Sequence, residues 1–339
     1  MYNNRRNSGI KVYEITIKEK DLTRKLDEFL LPNISTRSIK VVPVITMAIG
    51  EEYKKETPEK EREKNRQNFI TAASELYQLI MAPFEKEIKT KNLIIVPHGA
   101  LHKVPFSTLS DGQRYMIDKY TLSVLPAASV MDHILKKRKA EKERLLVFAN
   151  PKTEYVPLEF AEIEGKTISK IFPQNEVYSR EKATETIARE KASSFNILHF
   201  ATHGEFNDRQ PLQSGLLLAK DEENDGYLQV HEIFGMDLRN ANLVTLSACD
   251  TALSKIFGGD DLVGLARGFI YAGTPSLLAT LWKVDDPATA KLMEYFYKNW
   301  KQGMSKPEAL RQAQIALKNI PEFKHPYYWA PFVMIGDWK

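Results

Sequence analysis

The chain has 339 residues, of which 43% are apolar and 27% charged, a balance typical of a globular protein with a large buried core. Lysine and arginine number 48 against 44 aspartates and glutamates, and no segment concentrates the excess, so we do not expect nucleic acid as a substrate. No apolar run approaches about 18 residues and the amino terminus lacks a signal-peptide pattern, which predicts a cytoplasmic protein with no membrane partner. The single cysteine, Cys249, excludes an internal disulfide and a multi-thiolate metal site.

The first part of the chain is predicted to contain one strand and two helices. Val12 to Ile17 is typical of a strand, and Asp21 to Leu31 of a short helix. The charged run from Glu51 to Arg66 is interpreted as a solvated loop or the start of a helix. An amphipathic helix then follows and is predicted to end near Lys89. Its apolar positions are Phe69, Ala73, Leu76 and Ile80.

The rest of the chain alternates between short apolar runs and helical patterns. The apolar runs lie at 93–96, 122–125, 145–149, 197–201, 243–248, 276–281 and 332–335. The helical patterns lie at 127–135, 159–171, 184–193, 262–271, 288–300 and 307–320. The last of them opens with Ser305 and Glu308 in a capping box. Apolar runs without alternation are typical of strands covered on both faces, so the fold class is α/β with a largely parallel sheet.

Two of the predicted strands end in the same dipeptide. One is followed by His98 and Gly99, and the other by His203 and Gly204. If this echo is not a coincidence, the chain contains two related halves. The basic stretch 136–144 has the composition of an exposed connector, which places the boundary between residues 1–140 and residues 141–339.

The carboxyl ends of two strands carry residues suited to acyl transfer. Cys249 follows the strand 243–248, and His203 ends an earlier strand 46 residues upstream. If these strands are parallel neighbours, the imidazole can take the thiol proton and return it to a leaving amine. Gly204 allows a sharp turn, so its N–H and that of Cys249 can form an oxyanion hole. Taken singly, such a cysteine is more often a core residue and such a histidine a turn residue.

Several ordered segments closely resemble the CHAT peptidases, which are caspase-like proteases of the caspase, separase and gingipain clan. The segments are Ile94–Phe106, Leu198–Gly204, Ser214–Ala219, Leu243–Thr251, Gly264–Gly273, Leu281–Asp286 and His325–Phe332. The resemblance spans roughly residues 90 to 339 and is therefore more specific than any single motif.

The resemblance implies a caspase-like α/β/α sandwich with a degenerate N-terminal half and a catalytic C-terminal half. It implies a dyad of His203 and Cys249. Because residues 1–140 contain no cysteine, His98 is interpreted as structural. Family members cut partner proteins, including bacterial gasdermins and a target controlled by a CRISPR effector, and many are attached to tetratricopeptide repeats. Since no repeat array precedes the domain in this sequence, we expect any regulatory repeat or sensor module to be a separate chain or to lie outside the given sequence.

Acidic loop residues near the expected site suggest a pocket for lysine or arginine. The candidates for this pocket are Glu205, Asp250, Asp285 and Asp286, with Trp282 as a wall. Asp285 or Asp286 can instead cap the helix that starts near Ala288, and Trp282 can instead fill the core.

The sequence therefore predicts a gated cysteine endopeptidase that needs no metal or organic cofactor. A zinc site at His199 and His203 is disfavoured because it lacks a clear third ligand. A nucleotide-binding protein is disfavoured because there is no phosphate-binding loop. The leading alternative is a catalytically silent, caspase-like interaction module.

Overall fold

The fold is built from eleven strands in the part of the chain that the structure describes. The computed structural model describes residues 59–136, 143–205, 207, 210–247, 259–282 and 285–339. The strands are β1 (Asn92–Ile95), β2 (Thr121–Val124), β3 (Arg144–Pro151), β4 (Gln174–Arg180), β5 (Ile197–Ala201), β6 (Gly204–Glu205), β7 (Gly215–Leu217), β8 (Tyr227–Gln229), β9 (Leu243–Leu246), β10 (Ser276–Thr280) and β11 (Phe332–Gly336). Eight of them form one sheet in the order β1-β2-β11-β10-β9-β5-β3-β4, and β6, β7 and β8 form a small separate sheet.

Strand direction reverses once across the large sheet. Strands β4, β3, β5, β9 and β10 are parallel neighbours, whereas β11 pairs antiparallel with β10. Strands β2 and β1 continue parallel to β11. The carboxyl end of β1, which leads to His98, therefore lies at the opposite edge of the sheet from the carboxyl end of β5, which leads to His203. Two halves related by a two-fold axis would have strands that run in opposite directions, as β1 and β5 do. The boundary between the halves at residue 140 remains a prediction.

Helices connect the strands and cover both faces of the sheet. They are α1 (Glu59–Ile80), α2 (Met116–Lys119), α3 (Val130–Lys136), α4 (Glu159–Ser169), α5 (Glu185–Lys191), α6 (Val230–Ile233), α7 (Gly259–Ala272), α8 (Asp286–Lys301), α9 (Lys306–Lys318) and α10 (Pro326–Trp329). Neighbouring residues on β5 identify the two faces. The His199 ring contacts Tyr297 of α8, whereas the Phe200 ring contacts Phe269 of α7. Among the described residues, no helix has both the length and the apolar character needed to cross a bilayer.

Burial of the strands explains why the apolar runs predict them so well. All five residues of β5, all four of β9 and all five of β10 are buried. Each fully buried leucine, isoleucine or phenylalanine in such a layer contributes about 1.5–3 kcal/mol relative to exposure. Close helix packing adds to this, since Gly165 of α4 leaves room for Ala149 and Val147 of β3. The predicted α/β class with a mostly parallel sheet is confirmed.

Element ends differ from the predictions for identifiable reasons. Helix α1 begins inside the charged run and ends at Ile80, not near Lys89, because Pro83 introduces a short 3₁₀ turn at Ala82–Phe84. Strand β9 ends at Leu246, two residues earlier than predicted. Only the Ser305 half of the predicted capping box of α9 is confirmed, with the Ser305 hydroxyl accepting a hydrogen bond from the Glu308 N–H. The Glu308 carboxylate accepts hydrogen bonds from Arg311 and Gln312 instead. The predicted elements Val12 to Ile17 and Asp21 to Leu31 lie outside the described residues.

Candidate functional site

His203 lies two residues beyond the carboxyl end of β5 and is buried, with 3% of its surface exposed. Its Nε2 lies 2.8 Å from the backbone carbonyl oxygen of Val156, which can only accept, so Nε2 carries the proton and donates it to that oxygen. Its Nδ1 is buried and has no hydrogen-bond partner among the described residues. With the proton on Nε2, Nδ1 is the nitrogen that can accept a proton.

The Val156 carbonyl belongs to a segment that we call the strap, residues 152–158 between β3 and α4. Val156 precedes Pro157, which restricts its backbone to extended conformations. The amide side chain of Asn150 closes the strap: its Oδ1 accepts from the N–H of Leu158 at 2.8 Å and its Nδ2 donates to Glu162 at 3.0 Å. Asn150 has a φ of 49°, a left-handed conformation that asparagine tolerates better than most residues.

Gly204 and Glu205 follow the histidine directly and form strand β6. Gly204 pairs with Leu216 and Glu205 with Gly215 of β7. Gly204 therefore lies in an extended strand, which corrects the expectation of a sharp turn at this glycine. The N–H of Leu217 donates to the His203 carbonyl at 2.8 Å, so the backbone of the histidine is fixed by β7.

The Glu205 side chain turns toward the strap. Its Oε1 accepts a hydrogen bond from the hydroxyl of Tyr155, and its backbone carbonyl accepts one from the Tyr227 hydroxyl at 3.4 Å. The hydrogen bond to Glu205, followed by burial, raises the pKa of Tyr155 to about 12, so its hydroxyl remains a donor at neutral pH. The Tyr155 ring also contacts the imidazole of His203, with centroids 5.4 Å apart.

The offset between paired residues of β5 and β9 equals the separation of His203 and Cys249 in the sequence. Phe200 pairs with Leu246, an offset of 46 positions, and the Ser247 N–H donates to the Phe200 carbonyl at 2.9 Å. His203 and Cys249 are separated by the same 46 positions in the sequence. Cys249 itself and the pocket candidate Asp250 lie outside the described residues.

The other pocket candidates follow strand β10 at the same sheet edge. Trp282 is 7% exposed, and its indole N–H donates to the Tyr327 carbonyl at 3.2 Å. Asp285 caps α8, its Oδ1 accepting from the Ala288 N–H at 3.0 Å. Burial raises the pKa of Asp285, and the Ala288 N–H partly opposes that shift. Asp286 lies in the first turn of α8. The capping alternative thus holds for Asp285, and a pocket role for these residues remains a prediction.

His199 and His203 do not face a common site. His199 is fully buried, with Nε2 2.8 Å from Oε1 of Glu164 on α4 and Nδ1 3.1 Å from the Tyr297 hydroxyl on α8. The same hydroxyl lies 2.8 Å from Oγ1 of Thr245 on β9. Across the described residues, no three histidine, cysteine, aspartate or glutamate side chains cluster as metal ligands would. His199 therefore belongs to a buried polar network on the face of the sheet that α4 and α8 cover.

Sequence reasoning missed the strap, although it anticipated His203. A backbone carbonyl acceptor such as that of Val156 leaves no signature in side-chain identity. The usable signals were the proline after Val156 and the aromatic Tyr155, shortly after a strand that neighbours β5.

Curated proteins that are similar to this chain include tetratricopeptide repeat proteins. Tetratricopeptide repeat protein 28 of Homo sapiens is 23% identical over 321 aligned positions, covering 77% of this chain and 13% of that protein. Its Mus musculus counterpart is 24% identical over 325 positions, with the same shares. The chain thus spans only 13% of the length of these curated relatives.

Solved structures of cysteine proteinases share the fold. The Arg-specific cysteine proteinase gingipain R (RgpB) is 8% identical with a TM-score of 0.51, covering 79% of this chain and 67% of that one. The complex of the Porphyromonas gingivalis RgpB pro- and mature domains is also 8% identical with a TM-score of 0.51, covering 94% of this chain and 76% of that one. This similarity is one of architecture, and it confirms a caspase-like fold. The CHAT domain model matches residues 71–337, most of the chain, and the protein therefore belongs to the CHAT domain family.

Proposed function

We propose that the protein is a cysteine endopeptidase in which Cys249 is the nucleophile and His203 the general base and acid. The observation that carries the proposal is the hydrogen bonding of the two ring nitrogens of His203. Its Nε2–H is bound by the Val156 carbonyl, which leaves a buried Nδ1 free to accept a proton at the sheet edge. Strands β5 and β9 are parallel neighbours, and in the sequence His203 follows β5 by two residues and Cys249 follows β9 by three. The parallel strands thus support a short path between imidazole and thiol.

The chemistry follows from these two groups. Nδ1 takes the thiol proton, and the thiolate attacks the carbonyl carbon of a peptide bond. The resulting imidazolium keeps its Nε2–H on the Val156 carbonyl and gives the new proton to the leaving amine as the C–N bond breaks. Water, deprotonated by the same nitrogen, then hydrolyses the acyl-enzyme and restores the thiol. No metal or organic cofactor enters this sequence.

The backbone of Gly204 supports an oxyanion hole. In an antiparallel pair, successive residues point their N–H and C=O groups alternately toward the partner strand and away from it. Because the His203 carbonyl binds Leu217 of β7, the N–H of Gly204 points away from β7. In the proposed site this N–H and that of Cys249 hold the oxyanion, and one such donor contributes about 3–4 kcal/mol to lowering the barrier.

The proposed substrate is a protein with an exposed, extended segment that lies along the open sheet edge. The tetratricopeptide repeat protein relatives suggest a regulatory repeat protein as a partner. Gasdermin-like and CRISPR-controlled targets, and a preference for a basic residue before the cut, are further proposals. We also propose that the resting state is gated.

The test is labelling with a cysteine-directed peptide electrophile, followed by intact mass. Because the chain has one cysteine, any label has one possible thiol site. We expect rapid single labelling that is lost in Cys249→Ala and slowed at least a hundredfold in His203→Ala. His231→Ala is the matched control, since this histidine is exposed and, in the described part of the chain, its side chain hydrogen-bonds to the Leu212 carbonyl.

Labelling of unfolded chain gives the intrinsic thiol rate for comparison. Native labelling no faster than this, and unchanged in His203→Ala, would show that the dyad is not active in the resting protein. That result would favour a gated resting state or a silent interaction module.

A further inference from the structure

The hydrogen bonds around His203 form a closed circuit between the strap and β6. His203 donates to the Val156 carbonyl, Tyr155 precedes Val156, and the Tyr155 hydroxyl donates to Glu205. Glu205 lies two residues after His203 on β6, which closes the circuit. These four residues thus form a closed ring of covalent and hydrogen-bonded links.

We propose that Tyr155 and Glu205 are positioning residues, which hold the Val156 carbonyl against His203 and thereby keep the imidazole in its Nε2–H form. Glu205 then acts through Tyr155 and not as part of an acidic substrate pocket. The inference rests on the proposed function for its catalytic meaning, although the arrangement of the imidazole can be measured without any activity.

One side of the circuit is rigid. The β6 strand that carries Glu205 is paired with β7, and β7 is paired with β8. Gly215 allows this close approach, since a Cβ at that position would lie 2.3 Å from the Leu228 carbonyl oxygen. Thr202, just before the histidine, donates to the Leu217 carbonyl. Glu205 is therefore a fixed anchor.

The other side of the circuit is the strap, which Asn150 fastens at Leu158 and which Tyr155 joins to β6. Val156 is 78% exposed, and its neighbours Glu154 and Pro157 are also exposed. Burial of apolar surface therefore does not fix the carbonyl of Val156 in place. Tyr155 is the strap residue that turns inward, with its ring on His203 and its hydroxyl on Glu205. Losing this hydroxyl contact frees the carbonyl while leaving the ring packing intact.

The primary experiment is nitrogen NMR of the histidine rings in a Cys249→Ala background, where peptidase activity plays no part. The full chain is labelled with ¹⁵N-histidine, and the His203 signals are assigned by their loss in His203→Ala. We expect a single Nε2–H tautomer in the parent protein. Tyr155→Phe and Glu205→Ala should give a mixture of both tautomers, whereas Glu205→Gln, whose amide oxygen still accepts from Tyr155, should restore the single form.

A matched control and a second readout complete the test. Tyr178→Phe removes a similar bond, from the Tyr178 hydroxyl to Glu176 at 2.7 Å, on the edge strand β4 away from His203. It should leave the His203 signals unchanged. In the protein with Cys249, Tyr155→Phe should slow electrophile labelling about tenfold, the effect of losing one orienting hydrogen bond, and Glu205→Gln should label at the parent rate.

A single unchanged tautomer in Tyr155→Phe overturns the inference, whatever the labelling shows. So does a change in residue preference in Glu205→Gln, which would place Glu205 in the pocket. If the parent protein does not label but the tautomers respond as expected, the positioning role stands and the proposed peptidase function fails.

Discussion

Oε1 of Glu164 lies 2.8 Å from Nε2 of His199 in the centre of the core, where both side chains are shielded from water. The other ring nitrogen faces the Tyr297 hydroxyl, whose pKa is raised by burial, so that this hydroxyl keeps its proton. The network joins β5 to α4 and α8. His199 lies four residues before His203, so polar contacts as well as apolar packing hold the strand that leads to the candidate base.

Glu164→Ala should lower the free energy of unfolding by about 3 kcal/mol, because it removes the carboxylate that lies 2.8 Å from a buried imidazole nitrogen. Urea denaturation followed by circular dichroism measures this change. Glu294→Ala is the control, since its pair with Lys298 is partly exposed and contributes only about 0.3–0.5 kcal/mol. Equal small losses in both variants would show that the buried pair is not a stabilising link.

Asp285→Asn should make stability less dependent on pH. Burial raises the pKa of Asp285 in the folded protein above its unfolded value of about 3.9, so its favourable contribution is present below that pH and is lost as the pH rises through the folded value. Asparagine keeps an oxygen for the Ala288 N–H but carries no charge.

Urea denaturation of both proteins from pH 4 to pH 7 tests this expectation. The stability of Asp285→Asn relative to the parent should increase with pH. A constant difference across that range would contradict a buried, destabilising carboxylate at this position.

Asn150 contributes to stability through its side-chain hydrogen bonds and through its tolerance of a positive φ, and two substitutions should separate these contributions. Asn150→Gly loses the bonds to Leu158 and Glu162 but accepts the positive φ, and should cost about 1–2 kcal/mol of unfolding free energy. Asn150→Ala also strains the left-handed backbone and should cost about 1 kcal/mol more. Urea denaturation separates the two values. Equal costs for the two variants would rule out a backbone contribution.

Gly215→Ala should disrupt the small sheet, since its Cβ would collide with the backbone of β8. We expect a loss of more than about 2 kcal/mol in thermal or urea unfolding. Gly264→Ala in helix α7 is the matched control, because the nearest atom to its Cβ would be 4.0 Å away and alanine favours a helix by about 0.5–1 kcal/mol. Similar stabilities for the two variants would contradict the contact at Gly215.

The large sheet was predictable because its central strands carry uninterrupted apolar runs. Strand β5 matches its predicted bounds of 197–201, and most other bounds agree within two residues. Strand β4 was missed because it is an edge strand with a single neighbour, and its sequence QNEVYSR is largely polar. Strands β6, β7 and β8 are two or three residues long, too short for a period-two pattern to appear.

In the candidate site, the sequence predicted the residues whose side-chain type indicates a chemical role, but not the contacts between them. His203 was identified from its place at a strand end. Glu205 was expected to face a substrate, but its carboxylate is bound by Tyr155, from a segment about 50 positions away in the sequence. Contacts between distant loops depend on tertiary packing, which local patterns do not encode. The same reason explains why Val156 was not foreseen.

The reversal of strand direction at β11 also determines how far the start of β2 lies from the end of β5. Because β2 runs opposite to β5, the start of β2 and the preceding helix α2 lie at the same sheet edge as His203. Four strand spacings separate β5 from β2, or about 19 Å. An extended peptide covers that distance in about six residues. In the proposed peptidase, a substrate laid across the strand ends would therefore meet the N-terminal part of the protein about six residues from the bond cleaved at His203. Substitutions in α2 should then alter selectivity at that distance without touching the reactive groups.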